Sequence, residues 1–587
     1  MSRFLVASTI ALAALVSALA VAASPPAVEA EHGMVVASEA RAAAIGADIL
    51  RRGGNAFDAA VAVGYAEAVT NPCCGNLGGG GFLVAHLGKT GRDVFVDFRE
   101  TAPAAATRTM YLDASGEPIK GASLDGWRAV ATPGTVLGLD AALKEYGTMD
   151  RATVMAPAIA LARDGFVLNR ADADIFPVFA ARLKGDPEAA KVFLRPDGAP
   201  LQAGDRLVQP DLAASLQAIA DLGPDAFYRG PIAAKIGAAM RANGGILSAA
   251  DLAAYQIGED APLACDYRGY RFVSAPPPSS GGATLCEILN ILEGYDLRAL
   301  GFHSAASAHL MIEAMRHAFL DRNTALGDPA FVKNPLDRLL SRDYAARIRA
   351  AIAPDKATPS AELRPGVAPH EKSETTHYSV VDHDGNAVAV TYTINGGFGA
   401  GVIAPGTGFF LNDEMDDFTV KPGVANLFGL VQGEANAIAP GKRPLSSMAP
   451  TLIERDGRVV VALGSPGGSR IITTVLETAL NLIDYGMAPQ EAVDAPRFHH
   501  QWLPDAVFAE PYAFSPDSQK LLEGMGYSIV VQAPWSAAEV VVAAPIAPAG
   551  AAPAVGNPDS MFGGKMRPGL LYGASDPRRP GGLAAGE

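Results

Sequence analysis

The sequence predicts a mixed α/β (α+β) fold, because helical and strand-like patterns both recur along its 587 residues. Apolar residues recur every three or four positions in the amino-terminal part, which is typical of helices. Segments rich in β-branched and aromatic residues dominate after residue 375, with helical stretches at 471–485 and 487–493. With 49% hydrophobic and 19% charged residues, the chain can form a large core.

Two helices and a strand are predicted near the amino terminus. Residues 38–69 have the helical pattern, and Gly53-Gly54-Asn55 interrupts it, so two helices are expected. The glycine run at 75–81 then leads into a strand-like segment. It is not a dinucleotide-binding motif, because it precedes a strand instead of opening a helix. Residues 94–99 alternate as a strand that ends in Arg99.

The middle of the chain is mostly helical in pattern. The segment 125–350 carries one loop signature, the motif PPPSSGG at 276–282. Residues 355–374 are rich in Pro, Ala and Glu without an apolar period, so we expect a surface loop there. Residues 541–563, rich in Ala, Pro and Gly, are expected to form an inserted loop of low complexity.

A β-hairpin is predicted at residues 377–393. Both of its arms are rich in β-branched and aromatic residues, and the Asp384-Gly385 step between them is a strong turn signal. The residue numbers of cross-strand partners would then sum to about 769, within one residue. In that register Thr375 lies close to Thr393 and Asn395.

Thr375 is therefore a candidate nucleophile. If the Glu374–Thr375 bond were cut, the new α-amine could deprotonate the hydroxyl of the same residue, as in other amino-terminal threonine nucleophiles. The predicted surface loop ends at this bond, which would suit such a cut. A Thr-Thr pair at the start of a strand is also common without any catalytic role, so the pattern alone leaves both interpretations open.

A glycine-rich turn offers a candidate anion-binding site. The segment 464–470, GSPGGSR, follows an apolar strand and precedes a helical run. Gly467 and Gly468 can direct backbone N–H groups at a phosphate or at a tetrahedral oxyanion. A P-loop is excluded, because the Gly-Lys-Ser/Thr ending is missing. A purely structural turn remains the alternative.

Three further segments suit a substrate that resembles an amino acid. The adjacent hydroxyls of Ser446 and Ser447 can donate to a carboxylate, and Arg99 can bind the same carboxylate through two parallel hydrogen bonds. The segment 412–417 supplies acids without a basic partner, which suits a substrate ammonium group. Its spacing does not fit an EF-hand calcium loop. A solvated loop is the alternative for each segment taken singly.

Composition and the amino terminus limit the partners and the compartment. A net charge of −15 argues against nucleic-acid binding, which needs a basic face. Residues 1–23 have the pattern of a secretory signal peptide, in which Arg3 precedes an apolar run that small residues follow. A membrane anchor is the alternative, but Pro25-Pro26 follows the run instead of a charged stop. We therefore expect a periplasmic or secreted protein without membrane association after signal removal.

Cysteines and histidines give no metal-binding signature. Cys73 and Cys74 are adjacent, where a mutual bridge would be strained, and a bridge between Cys265 and Cys286 is possible but undecided. Neither spacing resembles a zinc knuckle, and no HExxH motif occurs. The neighbours His499-His500 point to different faces of a regular element, which disfavours a joint ligand role. No metal is therefore expected.

The chain closely resembles the γ-glutamyltransferase (γ-glutamyltranspeptidase) family in its bacterial form. The candidate segments describe a site for an α-carboxylate, an α-ammonium group and an acyl carbon within reach of a threonine hydroxyl. The family motifs run in order from about residue 33 to the end, and several are too long and rare to occur by chance. They stand here as GNLGGGGF, DFRETAP, PPPSSGG, ETTHYSV, TYTIN, MDDF, KRPLSSM, GSPGGSR, APRFHHQWLP and YGASDPR.

The resemblance implies a four-layer αββα N-terminal nucleophile (Ntn) hydrolase fold and a precursor that cleaves itself between Glu374 and Thr375. Residues 24–374 would form the large subunit and residues 375–587 the small subunit, joined as a heterodimer in one interleaved domain. The implied reaction transfers the γ-glutamyl group of glutathione and related small molecules, through a Thr375 ester, to water or to an amino acid or peptide. It needs no cofactor.

The resemblance also implies the roles of the site residues. Thr375 would be the nucleophile with its α-amine as general base, Thr393 would position it, and the N–H groups of Gly467 and Gly468 would hold the oxyanion. The side chains implied for the glutamyl α-carboxylate are those of Arg99, Ser446 and Ser447. The side chains implied for its α-amino group are those of Asn395, Glu414 and Asp417.

The chain departs from the family pattern in three places. Phe428 stands where bacterial members usually have a tyrosine, so its ring can cover the pocket but cannot hydrogen-bond to Asn395. Gly396-Gly397 replace the usual hydroxyl residues, which is expected to loosen the turn. The segment 541–563 lies outside the family core. The lid and the acceptor preference therefore stay open.

Two other functions compete with this one. A cephalosporin-acylase-type amidase would act on an acyl group without an α-amine, and Glu414 and Asp417 would then have no partner. A non-catalytic exported protein that binds γ-glutamyl compounds would be expected to lack the nucleophile, but Thr375, Thr376 and Thr393 are all present.

Overall fold

The computed structural model describes residues 24–258, 260–360, 375–546 and 566–587. Three predictions fall wholly or partly outside these ranges: the signal segment, the loop that ends at Glu374, and residues 547–563 of the insertion. They stay predictions. Within the described ranges, no helix combines the length and the apolar character needed to cross a membrane.

Helices and strands alternate along the described chain. The α-helices are α1 Ala40–Arg51, α2 Ala56–Thr70, α3 Thr135–Tyr146, α4 Arg151–Asp164, α5 Arg170–Ala173, α6 Ile175–Val178, α7 Ala180–Gly185, α8 Pro187–Phe193, α9 Pro210–Leu222, α10 Asp225–Tyr228, α11 Pro231–Ala242, α12 Ala249–Ala254, α13 Gly281–Leu292, α14 Leu297–Leu300, α15 Ala305–Ala325, α16 Leu336–Leu339, α17 Arg342–Ala351, α18 Arg470–Ile483, α19 Pro489–Asp494 and α20 Pro516–Met525. The strands are β1 Val28–Ala30, β2 Gly33–Ala37, β3 Gly80–Leu87, β4 Arg92–Phe98, β5 Phe166–Val167, β6 Arg206–Leu207, β7 Leu263–Tyr267, β8 Tyr270–Ser274, β9 Thr375–Asp382, β10 Ala387–Thr393, β11 Thr451–Arg455, β12 Arg458–Gly464, β13 Phe498–His499, β14 Val507–Ala509, β15 Ile529–Val531, β16 Glu539–Val542, β17 Leu571–Ser575 and β18 Leu583–Gly586.

Two antiparallel sheets form the centre of the fold. One sheet has the strand order β18-β2-β9-β10-β3-β4, and the other has the order β1-β17-β16-β12-β11-β8-β7. The sheets pack face to face, since β9 contacts β12 and β16, and β2 contacts β17. Helices α1, α2 and α3 cover the outside of the six-stranded sheet, and α13, α18 and α19 contact the seven-stranded sheet. The predicted four-layer αββα arrangement is confirmed.

The predicted hairpin is formed by β9 and β10. Thr375 pairs with Thr393, so the partner numbers sum to 768, one below the expected value. The carboxylate of Asp382 accepts the backbone N–H of Asp384 at 3.0 Å and so stabilises the turn. Gly385 follows with a φ of 79°, in the left-handed region that a tight hairpin turn requires.

Side chains along β9 alternate between two apolar cores. Tyr378 and Val380 belong to the core beneath the helices of the six-stranded sheet, whereas Val381 belongs to the core around the seven-stranded sheet. Because successive side chains of a strand point to opposite faces, Thr375 and His377 share the face of Val381. Thr375, as the first residue of β9, therefore lies at one end of the space between the sheets.

The two amino-terminal helices form where the sequence predicts them. Asn55 begins α2 with a capping box: its side chain accepts the backbone N–H of Asp58, and the Asp58 carboxylate accepts the backbone N–H of Asn55. Every residue of α2 is buried, because α1 and α4 pack on it and β9 and β10 lie beneath it. This placement explains why α2 has no polar face.

One hairpin lies within the segment whose pattern is mostly helical. Strands β7 and β8 are joined by Arg268-Gly269, which have φ values of 53° and 80° and so form a turn that suits a twisted hairpin. A disulfide between Cys265 and Cys286 connects β7 to α13. Cys73 and Cys74 are also joined to each other, so both bridges that the sequence left undecided are present.

Candidate active site

Thr375 and Thr393 face each other at the open end of the hairpin. Their hydroxyl oxygens are 3.2 Å apart, and both side chains are buried. The hydroxyl oxygen of Thr393 also accepts the backbone N–H of Asn395 at 2.9 Å. Since this second contact fixes Thr393, its hydroxyl holds the Thr375 oxygen in one orientation.

His377 lies two residues along the same face of β9 and has no free ring nitrogen. Its Nδ1 is 2.8 Å from the hydroxyl of Thr391, and its Nε2 is 3.0 Å from the hydroxyl of Ser379. Burial lowers the pKa of His377 to about 3, so the ring is neutral at pH 7. At Gly464 a Cβ would lie 2.2 Å from this ring. His377 is therefore a packed structural residue, and no histidine lines the described wall around Thr375.

The glycine turn lies between β12 and α18, as the sequence predicts. Gly467 and Gly468 have φ values of 133° and 56°, which favour glycine. At Gly468 a Cβ would also lie 2.3 Å from the ring of Phe428. Neither glycine donates its backbone N–H to another described residue. Both groups are therefore available to an anion at the start of α18.

Arg99 is fully buried in a cluster of carboxylates. Its guanidinium donates to Glu414 and, at 2.6 Å, to Asp417, and Glu100 lies 3.4 Å away. Its Nε donates to the carbonyl oxygen of Pro444 at 3.1 Å. Burial raises the pKa of the Glu414 and Asp417 carboxyls, and the Arg99 charge opposes that rise. The residue predicted to bind a carboxylate is thus paired with the two acids predicted to bind the ammonium group.

The serine segment is held by the motif PPPSSGG. The hydroxyl of Ser280 donates to the carbonyl oxygen of Ser446 at 2.6 Å, and that of Ser279 donates to the carbonyl oxygen of Met448 at 2.5 Å. The side chains of Ser446 and Ser447 line the same pocket as Thr375. The motif therefore supports the candidate binding residues and does not line the pocket itself.

Asn395 and Gly396 form a turn that is bound to Asp413. Asn395, with a φ of 71°, donates its side-chain amide to the carbonyl oxygen of Asp413 at 3.1 Å. Gly396 donates its backbone N–H to the Asp413 carboxylate at 2.8 Å, and a Cβ on Gly396 would lie 2.8 Å from the same carboxylate. The glycine in place of a hydroxyl residue thus permits a close contact, and the turn is held where a looser one was expected.

One pocket brings most of the predicted residues together. The predicted residues on its wall are Thr375, Thr393, Asn395, Glu414, Asp417, Ser446, Ser447 and Gly468. Phe428 also lines it, with the ring against Gly468, as the sequence suggested for a cover. Arg99 and Gly467 do not line this pocket, and Glu374 lies outside the described residues.

Sequence reasoning did not identify Arg322, a buried residue of α15. Its Nη2 donates to the hydroxyl of Ser447 at 3.0 Å, so it contacts a residue of the pocket wall directly. Arginines are common on exposed helix faces, and no motif distinguishes this one from its neighbours in the helical segment. Only the folded arrangement reveals that it points inward.

One described group of side chains has donor atoms close enough for a metal ion: His86, Asp93 and Glu454. The guanidinium of Arg271 already bonds both carboxylates, at 2.6 Å for Glu454. Hydrogen bonds to Asp93 and Glu454 raise the pKa of His86 to about 9, so the ring is a cation at neutral pH. Two cations and two anions neutralise one another, which describes an ion-pair cluster between the sheets better than a metal site.

The pair His499-His500 is buried and satisfied by protein groups. His499 contacts the hydroxyl of Thr473 at 2.9 Å and the side-chain oxygen of Gln501 at 2.9 Å. The Nε2 of His500 is 3.4 Å from Asp505, and its Nδ1 accepts the backbone N–H of Trp502 at 3.1 Å. Each ring is therefore held in place by contacts with neighbouring protein groups.

Residues 42–586 match the model of a protein family described as Gamma-glutamyltranspeptidase. The chain belongs to the γ-glutamyltranspeptidase family. The match covers all of the candidate site residues, from Arg99 to Gly468. The resemblance that rested on short motifs is thereby confirmed over nearly the whole chain.

Other proteins resemble this γ-glutamyltranspeptidase family member along almost their entire length. A "Glutathione hydrolase proenzyme" of Pseudomonas sp. (strain A14) is 55% identical over 96% of each chain. A protein of the same description from Escherichia coli (strain K12) is 49% identical over 98% of each chain. The solved cephalosporin acylase from Bacillus halodurans is 27% identical, with a TM-score of 0.81 over 97% of this chain and 98% of that one.

Proposed function

We propose that this chain is a proenzyme that cuts itself between Glu374 and Thr375 and then acts as a γ-glutamyltransferase and glutathione hydrolase. The contact of Thr375 with Thr393, at the first residue of a strand and in one pocket with Gly468, carries the proposal. The relatives described as glutathione hydrolase proenzymes support it.

The cut would divide the chain into two subunits of one heterodimer. The large subunit would comprise residues 24–374 and the small subunit residues 375–587, and removal of residues 1–23 would accompany export to the periplasm or the medium. Strands from both sides of the cut pair in both sheets, which would hold the subunits together. Glutathione or another small γ-glutamyl compound would be the substrate, and no cofactor takes part in the proposed steps.

Self-cleavage would use the same hydroxyl as catalysis. The oxygen of Thr375 attacks the carbonyl carbon of Glu374, the C–N bond breaks, and an ester with a free α-amine on Thr375 results. Water then hydrolyses the ester. The product carries an amine whose ordinary pKa is about 7.7–8.0, close enough to neutral pH for it to accept a proton from the adjacent hydroxyl.

The transfer reaction would then proceed through a γ-glutamyl ester. The oxygen of Thr375 attacks the γ-carbonyl carbon, and the α-amine takes the hydroxyl proton and passes it to the leaving amine. The N–H groups of Gly467 and Gly468 stabilise the oxyanion, and loss of one such donor costs about 3–4 kcal/mol in other enzymes. Water, or the amine of an amino acid or peptide, attacks the ester and releases the product.

Substrate binding would use the two ends of the buried charge cluster. The hydroxyls of Ser446 and Ser447 would donate to the α-carboxylate, with Arg99 as the cation behind them. The acceptors for the α-ammonium group would be Asn395, Glu414 and Asp417. Because the Arg99 guanidinium already contacts both acids, a substrate with one positive and one negative charge adds no net charge to the cluster. This matching favours an amino-acid head group over a glutaryl group, whose carboxylate would add one negative charge.

The proposal is tested by comparing Thr375→Ala with Thr375→Ser. We expect the alanine variant to stay uncut and inactive, because no hydroxyl remains at this position. The serine variant keeps a hydroxyl and is expected to yield two bands on a denaturing gel. The smaller wild-type fragment should begin with Thr-Thr-His-Tyr. An alanine variant that is cut at the same bond and releases γ-glutamyl p-nitroanilide at the wild-type rate would contradict the proposal.

A cephalosporin-acylase-type amidase is the second candidate, because the fold superposes on such an enzyme. The two functions differ in whether the substrate carries an α-ammonium group for Glu414 and Asp417. We therefore expect faster release from γ-glutamyl p-nitroanilide than from glutaryl p-nitroanilide, which lacks only that group. Faster release of the glutaryl compound would favour the acylase.

A further inference from the structure

Arg322 is a buried cation, and its contacts among the described residues are all with neutral acceptors. Its Nη2 donates to the hydroxyl oxygen of Ser447 at 3.0 Å, and its Nε donates to that of Ser280 at 3.0 Å. Its Nη1 donates to the side-chain oxygens of Gln432 and Asn323, at 3.0 and 2.9 Å. The side chain is 1% exposed, so these contacts replace water.

The charge of Arg322 is not cancelled by an ion pair. Among the described residues, no carboxylate lies within 4.0 Å of its guanidinium, whereas Arg99 has three such neighbours. Burial lowers the pKa of Arg322 to about 10, which still leaves it protonated at neutral pH. A buried charge is costly unless a partner compensates it. The region behind Ser447 is therefore favourable for an anion.

The hydrogen-bond inventory determines the direction of the Ser447 hydroxyl. A guanidinium can only donate, so the oxygen of Ser447 must accept from Arg322, and the single O–H proton of Ser447 points elsewhere. Ser447 lines the pocket, where this proton can meet an acceptor. Ser280 likewise accepts from Arg322 and donates to the carbonyl oxygen of Ser446. The guanidinium thus contacts the pocket-wall residue Ser447 directly and the pocket-wall residue Ser446 through Ser280.

We propose that Arg322 is a positioning residue that presents the Ser447 hydroxyl as a donor to the substrate α-carboxylate and places a positive charge behind it. This inference rests on the proposed γ-glutamyl substrate. Gln432 extends the same network, because its amide donates to the carbonyl oxygen of Asp417 at 3.0 Å. Arg322 is therefore linked both to the serines that would bind the carboxylate and to the segment that would bind the ammonium group.

The test compares Arg322→Met on three p-nitroanilides: γ-glutamyl, glutaryl and 4-aminobutanoyl. The first two carry the carboxylate, and the third lacks only that group. We expect KM to rise about 10- to 100-fold for the two carboxylate-bearing compounds, because a hydrogen bond to a charged group is lost. The value for the third should change less than about threefold, with kcat nearly constant for all three. A compound with slow turnover is measured as a competitive inhibitor.

Two further variants separate positioning from general damage. Ser447→Ala should produce the same selective rise, and the double variant Arg322→Met/Ser447→Ala should be no worse than the more affected single variant, because both remove one interaction. Arg322→Lys keeps a cation and should recover part of the lost affinity. Arg497→Met, at a buried arginine that pairs with Asp576 away from the pocket wall, should not alter the ratio between the substrates.

The inference is overturned if Arg322→Met leaves all three KM values unchanged, raises them equally, or adds its effect fully to that of Ser447→Ala. If the methionine variant fails to fold or to be cut, Arg322→Lys decides in its place: an equal change for all three compounds contradicts a positioning role. Wild-type protein that releases nothing from the γ-glutamyl compound would refute the proposed function itself. The two failures are therefore distinguishable.

Discussion

Replacing Thr393 by valine would remove a hydroxyl while nearly preserving the shape of the side chain. The change abolishes the contact with the Thr375 oxygen, which is 3.2 Å away, and leaves the backbone N–H of Asn395 without its acceptor at 2.9 Å. A buried donor without a partner reduces the free energy of unfolding by about 1–3 kcal/mol. As Thr375 attacks, its oxygen carries charge, and a hydrogen bond to a charged group contributes about 1.5–3 kcal/mol. Loss of this hydrogen bond in the transition state corresponds to a decrease in kcat of roughly 10- to 150-fold.

The measurement combines kinetics, processing and stability. Initial rates with γ-glutamyl p-nitroanilide give kcat, a denaturing gel follows self-cleavage over time, and urea unfolding gives the change in stability. Thr393→Ser is the matched control, because it keeps the hydroxyl and both contacts. If Thr393→Val turned over at the wild-type rate, the contact with Thr375 would have no catalytic role. If the serine variant lost as much activity as the valine variant, the methyl group and not the hydroxyl would be responsible.

Three other regions lead to separate predictions. Hydrogen bonds to its two carboxylate neighbours raise the pKa of His86 from 6.5 to about 9. The stabilisation of the fold by the protonated ring is therefore complete below pH 6.5 and is lost as the pH rises through 9. The urea midpoint should fall over this pH window more in the wild type than in His86→Gln, and an equal fall in both proteins would contradict this. Replacing Cys265 and Cys286 by serine should lower the free energy of unfolding by about 3 kcal/mol, because the bridge closes a loop of 21 residues; an unchanged urea midpoint would argue against the bridge. Gly468→Ala should reduce kcat at least about 100-fold, because the new Cβ would lie 2.3 Å from the ring of Phe428 and would displace the backbone N–H proposed to bind the oxyanion. Gly524→Ala is the control: its Cβ would enter open space, so its kcat should match that of the wild type.

Local patterns in the sequence were sufficient for the elements that place the nucleophile. The Asp384-Gly385 step fixed the hairpin to within one residue of the observed register, and the glycines before α18 marked a turn with positive φ. Both features depend on neighbours in the chain, so periodicity and turn chemistry reveal them. The order of the four layers came from the resemblance to a family, because strand pairing across hundreds of residues has no local signature.

The electrostatics of the pocket could not be predicted in the same way. Arg99 was expected to face a substrate, but it pairs with Glu414 and Asp417, which lie more than 300 residues further along the chain. Arg322 belongs to a helix whose other polar residues gave no reason to single it out. Which charges meet in a buried cluster depends on how several loops pack together. Single-sequence patterns do not contain that information.

The strand order has a consequence for the proposed cut. In the six-stranded sheet, β2, β3 and β4 precede residue 375, whereas β9, β10 and β18 follow it, and strands of the two groups pair with each other at three places. The seven-stranded sheet likewise takes its outer strands from the first group and its central ones from the second. Neither subunit could therefore form a complete sheet without the other subunit. Dilution should therefore leave the two subunits associated. In urea, the subunits should dissociate only in the same transition in which the whole protein unfolds.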